Sequence, residues 1–356
     1  MTLFEPLQFP NGVRANNRLA LAALTNGQSH ADGTLGAPEQ RWLRARAEGG
    51  FGVVTTCAAY VADDGKSWRG QLGIAHEAHV PGLTELARSL REVGALPLVQ
   101  LFHGGLRASA EISGMPAWSA SESEGCRAAT ELDIERVIEQ FRVAAERAWR
   151  AGFGGVELHG AHGYLLAQFL SVTENRRNDT WGGALEARAR LLRGVLREVR
   201  AVVPAELVVG VRLSPEDFRQ TRGIDLDESV QVARWLADDG ADFVHLSLWD
   251  CARNTQKYPA QHALPLFRRA LPAAVPLFAA GKIWTRADAE AVRELGADGI
   301  ALGRAAILNP DWPHRACDDA WQPLRPPATP SQLAERAVSP VFVDYLRRGW
   351  PGFVSP

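Results

Sequence analysis

Lysine is nearly absent from this chain of 356 residues. Lys and Arg together number 39, and all but Lys66, Lys257 and Lys282 are arginine. Net charge is also small, −2 at pH 7 with an isoelectric point near 6.5, so nothing electrostatic argues for a nucleic-acid or anionic membrane partner. Cys57, Cys126, Cys251 and Cys317 form no C-x-x-C pair. That spacing speaks against structural zinc, an iron–sulfur cluster or a disulfide-stapled secreted domain. No apolar run approaches the ~20 residues that span a bilayer. The opening Met1-Thr2-Leu3-Phe4-Glu5 lacks the charged and apolar regions of a secretory signal, so a reducing cytoplasm is the expected location. No G-x-G-x-x-G follows the first apolar runs, and with it goes the fingerprint of a doubly wound dinucleotide sheet.

What is present is a repeated alternation. Short apolar, β-rich runs occur at 18–24, 52–57, 96–102, 154–159, 207–213, 242–248, 275–281 and 298–303. None alternates strictly, as expected of parallel strands buried on both faces. Amphipathic helical stretches lie between them, clearest at 80–94, 133–151, 184–202, 226–239 and 285–295. Gly94, Gly152, Gly240 and Gly296 each stand where a helix C-terminus needs a left-handed residue. The pattern predicts a (β/α)8 TIM barrel forming one domain over 1–356. An N-terminal β-hairpin is expected at Pro10-Asn11-Gly12, and an irregular, proline-rich C-terminal extension from about residue 323.

In such a barrel the chemistry sits at the C-terminal ends of the strands. Those ends read Thr25, Cys57-Ala58, Gln100, His159, Arg212, Ser247-Leu248-Trp249, Gly281-Lys282 and Gly303-Arg304. The fourth end opens the densest group, His159-Gly160-Ala161-His162-Gly163-Tyr164. On a regular helix Tyr164 would lie about 140° around the axis from His159, whereas a turn permitted by the two glycines aims all three side chains into one pocket. Taken alone, the group reads equally well as polar side chains satisfied locally at a strand end. Gly281-Lys282 and Gly303-Arg304, on neighbouring strands, offer close backbone approach and cationic groups suited to a phosphate.

These segments resemble the Old Yellow Enzyme family of FMN-dependent ene-reductases over nearly the whole chain. The resemblance is carried by Leu3-Phe4-Glu5-Pro6-Leu7 with Asn17-Arg18, by Leu98 to Gly105, and by Val156 to Leu166. Gln168 to Ser171, Asn175-Arg176-Arg177 with Asp179, Trp181-Gly182-Gly183 and Val211 to Ser214 continue it. It implies a tightly but non-covalently bound FMN, reduced by NAD(P)H, that passes hydride to the β-carbon of an activated alkene. Ala22, Ala23, Leu24 and Thr25 would line the isoalloxazine, with Cys57 and Ala58 close by. Gln100 and Arg212 would hold its pyrimidine edge, and Gly281, Lys282, Gly303 and Arg304 its phosphate. His159, also in contact with the flavin, and His162 would bind the substrate oxygen, Tyr164 would donate the proton, and Trp249 would contact substrate.

Two features of the resemblance are mixed. Thr25 stands where one subgroup has Cys, while His-x-x-His matches that Cys subgroup. The tail Tyr345-Leu346-Arg347-Arg348-Gly349-Trp350 resembles a segment that reaches a neighbouring subunit, which would make Arg348 an inter-subunit residue of a homo-oligomer. The residues alone leave three other readings: a Schiff-base aldolase at Lys282, a metal hydrolase at the two histidines, and a non-catalytic flavin-binding barrel. No metal is expected, since the other strand ends bring no carboxylates.

Overall fold

Eight parallel strands close on themselves in the computed structural model, which describes residues 2–219 and 221–356. In chain order they are β1 (Leu19–Leu21), β2 (Val53–Tyr60), β3 (Leu96–Phe102) and β4 (Gly155–Gly160), then β5 (Val208–Leu213), β6 (Phe243–Ser247), β7 (Leu277–Ala280) and β8 (Gly299–Leu302). The last returns to the first, with Ile300 opposite Leu19 and Leu302 opposite Leu21. The strands are buried on both faces, which is why their sequences run Val-Val-Gly-Val-Arg-Leu rather than alternating. Each predicted strand is found, although β1 is shorter than 18–24. After a last bond from the Ala22 amide to the Leu302 carbonyl, at 3.0 Å, the chain leaves the sheet, and Ala23, Leu24 and Thr25 become a wall of the central cavity.

The N-terminal hairpin pairs Leu7–Gln8 with Arg14–Ala15 across the predicted turn. It plugs the bottom of the barrel: Phe9 stacks on Phe278 at 6.3 Å and lies 5.9 Å from Phe243. Glycine makes room for these rings. A Cβ on Gly210 would fall 2.1 Å from Phe243, and one on Gly299 would fall 2.3 Å from Phe278. With the bottom closed by packing, the open face is the one at the strand C-termini.

Helices cover the outside. The longest, Glu131–Arg150, starts two residues before its predicted limit because Thr130 and Asp133 form a reciprocal capping box. The stretch 184–202 divides into Leu185–Arg188 and Arg190–Val202.

The extension beyond residue 323 differs from expectation, since it forms the helices Pro330–Ala334 and Pro340–Gly349. Pro330 and Pro340 stand at first helical positions, where the missing N–H costs nothing, behind the caps Thr329 and Ser339. Phe342, Val343 and Leu346 form the buried face of the second helix, and Phe342 meets Trp42 edge-on at 5.6 Å.

Arg46 fastens this extension to the barrel. Fully buried, it donates to the carbonyls of Trp42, Ala306, Ile307 and Arg336 at 2.8–3.1 Å. Replacing it strands several buried carbonyls, each costing about 1–3 kcal/mol. Denaturant unfolding of Arg46→Met is expected to show a loss of roughly 3 kcal/mol or more. A loss under about 1 kcal/mol would mean that water takes over those acceptors.

Candidate functional site

The open end of the barrel holds one cavity in two lobes of about 170 and 680 Å³. The lobes share Leu24, His162, Tyr164, Arg212, Tyr345 and Trp350. The smaller also takes in Ala23, Thr25, Ala58, Gln100 and His159; the larger takes in Ala22, Trp249, Gly281, Lys282, Gly303 and Arg304. All the site residues predicted from sequence therefore meet here except Cys57.

Cys57 is turned away by a β-bulge. The register of β2 against β3 shifts between Thr55 and Ala58, with Ala58 opposite Gln100. Side chains on a strand alternate, so one extra residue exchanges faces. Ala58 faces the cavity, while Cys57 is buried in the outer core beside Glu39. Burial and that carboxyl push its thiol well above the ordinary range.

A buried charge array forms the floor. Glu157, 2% exposed, accepts from Gln100 Nε2 at 2.7 Å and pairs with His245 Nδ1 at 2.7 Å. Burial raises its carboxyl, but His245, Arg212 and Gln100 outweigh that, leaving it below the usual value. An ionised carboxylate only accepts, so the Gln100 amide must give its N–H to Glu157 and present its carbonyl as an acceptor. Arg212 donates to the Ala23 carbonyl at 3.3 Å and to Ser247 Oγ at 3.1 Å, while its buried Nε has no partner.

Above this floor stand the two imidazoles, ring centres 4.9 Å apart and nearly perpendicular. His162 occupies a left-handed conformation with φ 61°, uncommon for a side chain of this size. Its amide donates to Ser214 Oγ at 3.0 Å and its carbonyl accepts from Arg107 at 2.6 Å. His162 Nε2 lies 2.6 Å from Ser247 Oγ, and the buried His159 Nδ1 has no partner. Burial first, then positive charge nearby (Arg212 for His162; His162 and then Arg212 for His159), pushes both imidazoles well below the ordinary histidine value. Tyr164 lies 5.1 Å from His159 and 4.5 Å from Phe102, and burial raises its phenol. Two neutral N–H donors and a protonated phenol thus face one small space.

The larger lobe is cationic. Lys282 Nζ pairs with Asp250 at 3.0 Å and lies 5.2 Å from the Trp249 ring. That ion pair is the opposite of the free amine a Schiff-base nucleophile needs. Arg304 stacks on Trp350 at 5.1 Å, and burial together with Arg219 lowers its guanidinium. Trp249 stacks on Phe218 at 3.9 Å, on this cationic side. Gly281 has φ 155°, and a Cβ there would fall 2.5 Å from the Leu248 carbonyl. Among the described residues, no group of three or more His, Cys, Asp or Glu is placed to hold a metal ion.

Several lining residues lie outside the site set expected from sequence, some of them in the tail segment whose resemblance pointed to a neighbouring subunit. Tyr345 lies beside Thr25, and Phe342, Leu346 and Trp350 join it from the C-terminal helix. Their signal was the spacing Phe342, Tyr345, Leu346 behind Ser339-Pro340. Arg348 is exposed on that helix and does not line the cavity. Trp68 enters at 5.3 Å from Phe102. Ser247, read from the sequence as a strand end, closes β6, whereas Arg107 carries no sequence signal beyond its loop position.

The donor set fits a flavin mononucleotide. Gln100 presents an acceptor and Arg212 a cation with an unpartnered N–H, which suits a ring edge bearing both N–H and carbonyl groups. Gly303, where a Cβ would meet only Leu24 at 3.4 Å, and the cations beyond it suit a phosphate.

Comparison with known proteins agrees. The family described as NADH:flavin oxidoreductase / NADH oxidase matches residues 2–320. A probable NADH-dependent flavin oxidoreductase of Bacillus subtilis is 35% identical over 322 residues, covering 87% of this chain and 86% of that protein. Among solved structures, the old yellow enzyme homologue from Zymomonas mobilis superposes with a TM-score of 0.83 at 28% identity, covering 94% of this chain and 99% of that one. Morphinone reductase in complex with tetrahydroNAD gives 0.79 at 27% identity, covering 94% of each chain.

The depressed imidazoles tie stability to pH. An unfolded histidine takes up its proton near pH 6.5, whereas the buried pair resists until lower pH. The unfolded state therefore binds more protons below about pH 6.5, and stability falls as pH drops through that window. In His159→Asn the decline of the thermal midpoint between about pH 7 and pH 5 is expected to be shallower. An unchanged slope would show that His159 protonates as readily folded as unfolded.

Proposed function

Because the chain belongs to the NADH:flavin oxidoreductase / NADH oxidase family, the Old Yellow Enzyme family, and is an NAD(P)H-dependent FMN oxidoreductase, we propose that its electron acceptor is an activated alkene. The substrate class is an α,β-unsaturated ketone or aldehyde, a nitroalkene or an imide. One observation carries this reading: two buried, neutral imidazoles and a protonated phenol converge beside the Gln100–Arg212 floor.

Gln100 and Arg212 would hold the flavin's pyrimidine edge, Ala23, Leu24 and Thr25 its ring face, and Gly303, Arg304, Gly281 and Lys282 its phosphate. Bound FMN, once reduced by NAD(P)H, supplies hydride to the β-carbon of the alkene. The task left to the protein is the charge that builds on the activating oxygen. Ser247, already accepting from Arg212, has its own hydroxyl proton to give to His162 Nε2. That arrangement places the His162 proton on Nδ1. With the unpartnered Nδ1 of His159, it makes a pair of donors for one oxygen, and such a preorganised donor is worth about 3–4 kcal/mol at comparable sites. Tyr164 then gives its phenolic proton to the α-carbon as general acid.

The test separates the two half-reactions. Holoenzyme is reduced anaerobically with NADPH or NADH and then mixed with cyclohexenone. Tyr164→Phe is expected to reoxidise about 100-fold more slowly or worse while its flavin is reduced at an ordinary rate. Equal losses in both halves would remove Tyr164 from the proton-donor role. A wild-type holoenzyme that no enone reoxidises would remove the alkene.

A further inference from the structure

Arg107 has no part in the assignments above, yet it touches two members of the site. It follows β3 on a tight turn through Gly105, which has φ 61°. Its Nη1 donates to the His162 carbonyl at 2.6 Å, and its Cζ stands 4.2 Å from the centre of the Tyr164 ring. The side chain lines the larger lobe, so this contact is open to the space where a ligand would sit. Around the phenol, Phe102 is apolar and His159 is neutral, with Tyr345 on the C-terminal helix as a third, also neutral, neighbour. Behind Arg107, Glu174 faces it, with Asp217 and Arg222 beyond. Burial lifts the Glu174 carboxyl to about 7, so it offsets the guanidinium only in part at neutral pH. Arg107 is the charge that acts on the phenol, working against its burial.

We propose that Arg107 is a positioning residue for proton donation, its guanidinium offsetting the phenolate that Tyr164 becomes. This rests on the reading of Tyr164 as the proton donor. In that step the phenolic O–H bond breaks and a C–H bond forms at the α-carbon, whose electron pair takes the proton. The phenolic oxygen keeps the O–H pair as a phenolate, and a proton from water restores it afterwards. A guanidinium over the ring and hydrogen-bonded to the His162 backbone cannot swing away, so its charge is present before the phenolate forms.

The experiment uses holoenzyme with full FMN content, in Arg107→Gln, Arg107→Lys, Tyr164→Phe and the Arg107→Gln/Tyr164→Phe double variant. Reoxidation by cyclohexenone is followed across pH, and the phenol is titrated by its ultraviolet difference spectrum. Arg107→Gln is expected to slow reoxidation about tenfold, the equivalent of one pKa unit. It should also move the phenol titration upward and leave NAD(P)H reduction of the flavin unchanged. Arg107→Lys should recover most of the rate, and the double variant should be no slower than Tyr164→Phe. An unmoved phenol titration in Arg107→Gln, or a further loss in the double variant, would overturn the proposal. If Tyr164→Phe itself reoxidises at the wild-type rate, the proton-donor reading fails instead, which keeps the two failures distinct.

Discussion

Arg212, His159 and His162 share one strand-end mouth, and Arg212 is the one that keeps its proton. A guanidinium does not give up its charge, and Glu157 beneath it supplies the compensating carboxylate, held in turn by Gln100 and His245. With that positive charge fixed a few ångströms away, a second or third cation in the same low-dielectric space is strongly disfavoured. The imidazoles are therefore neutral, each with a single N–H to direct. Burial, with that same charge beside it, thus sets the protonation state of the two imidazoles.

The rest of the fold serves this arrangement. Gln100, His159, Arg212 and Ser247 come from β3, β4, β5 and β6, and parallel strands in a closed barrel bring their C-terminal ends together whatever their separation in sequence. The left-handed His162 is a strained element of this mouth. Its cost, of order 1–3 kcal/mol, is borne by the Ser214 and Arg107 hydrogen bonds that hold its amide and carbonyl. The C-terminal helix completes the enclosure: Tyr345 and Trp350 stand in both lobes and narrow the access of water.

How far the sequence foretold this follows from what each feature depends on. Strands such as Val208–Leu213 were legible because burial on both faces leaves an unbroken apolar run. His159, Arg212 and Gln100 were legible because a strand end is a fixed place in a barrel. Cys57 went astray because a one-residue bulge leaves no mark in composition, yet it exchanges the two faces of β2. The C-terminal helices were hidden by the proline-rich composition of the tail, although Pro330 and Pro340 stand at first helical positions. Arg107, and the bonds of Ser247 beyond its legible place at a strand end, were illegible for a different reason. Their importance lies in contacts made across the barrel mouth, 55 residues from Arg107 to His162 and 85 from His162 to Ser247, and no local pattern records such contacts.

The central claim, that His159 and His162 are neutral N–H donors held so by burial beside Arg212, is open to direct observation. Nitrogen-15 NMR of histidine-labelled holoenzyme near pH 7 reports the protonation and tautomer of each ring, with the two assigned through His159→Asn and His162→Asn. The account predicts two neutral imidazoles, with the His162 proton on Nδ1 and Nε2 accepting from Ser247. Either ring found as an imidazolium at that pH, or a His162 proton on Nε2, would contradict it.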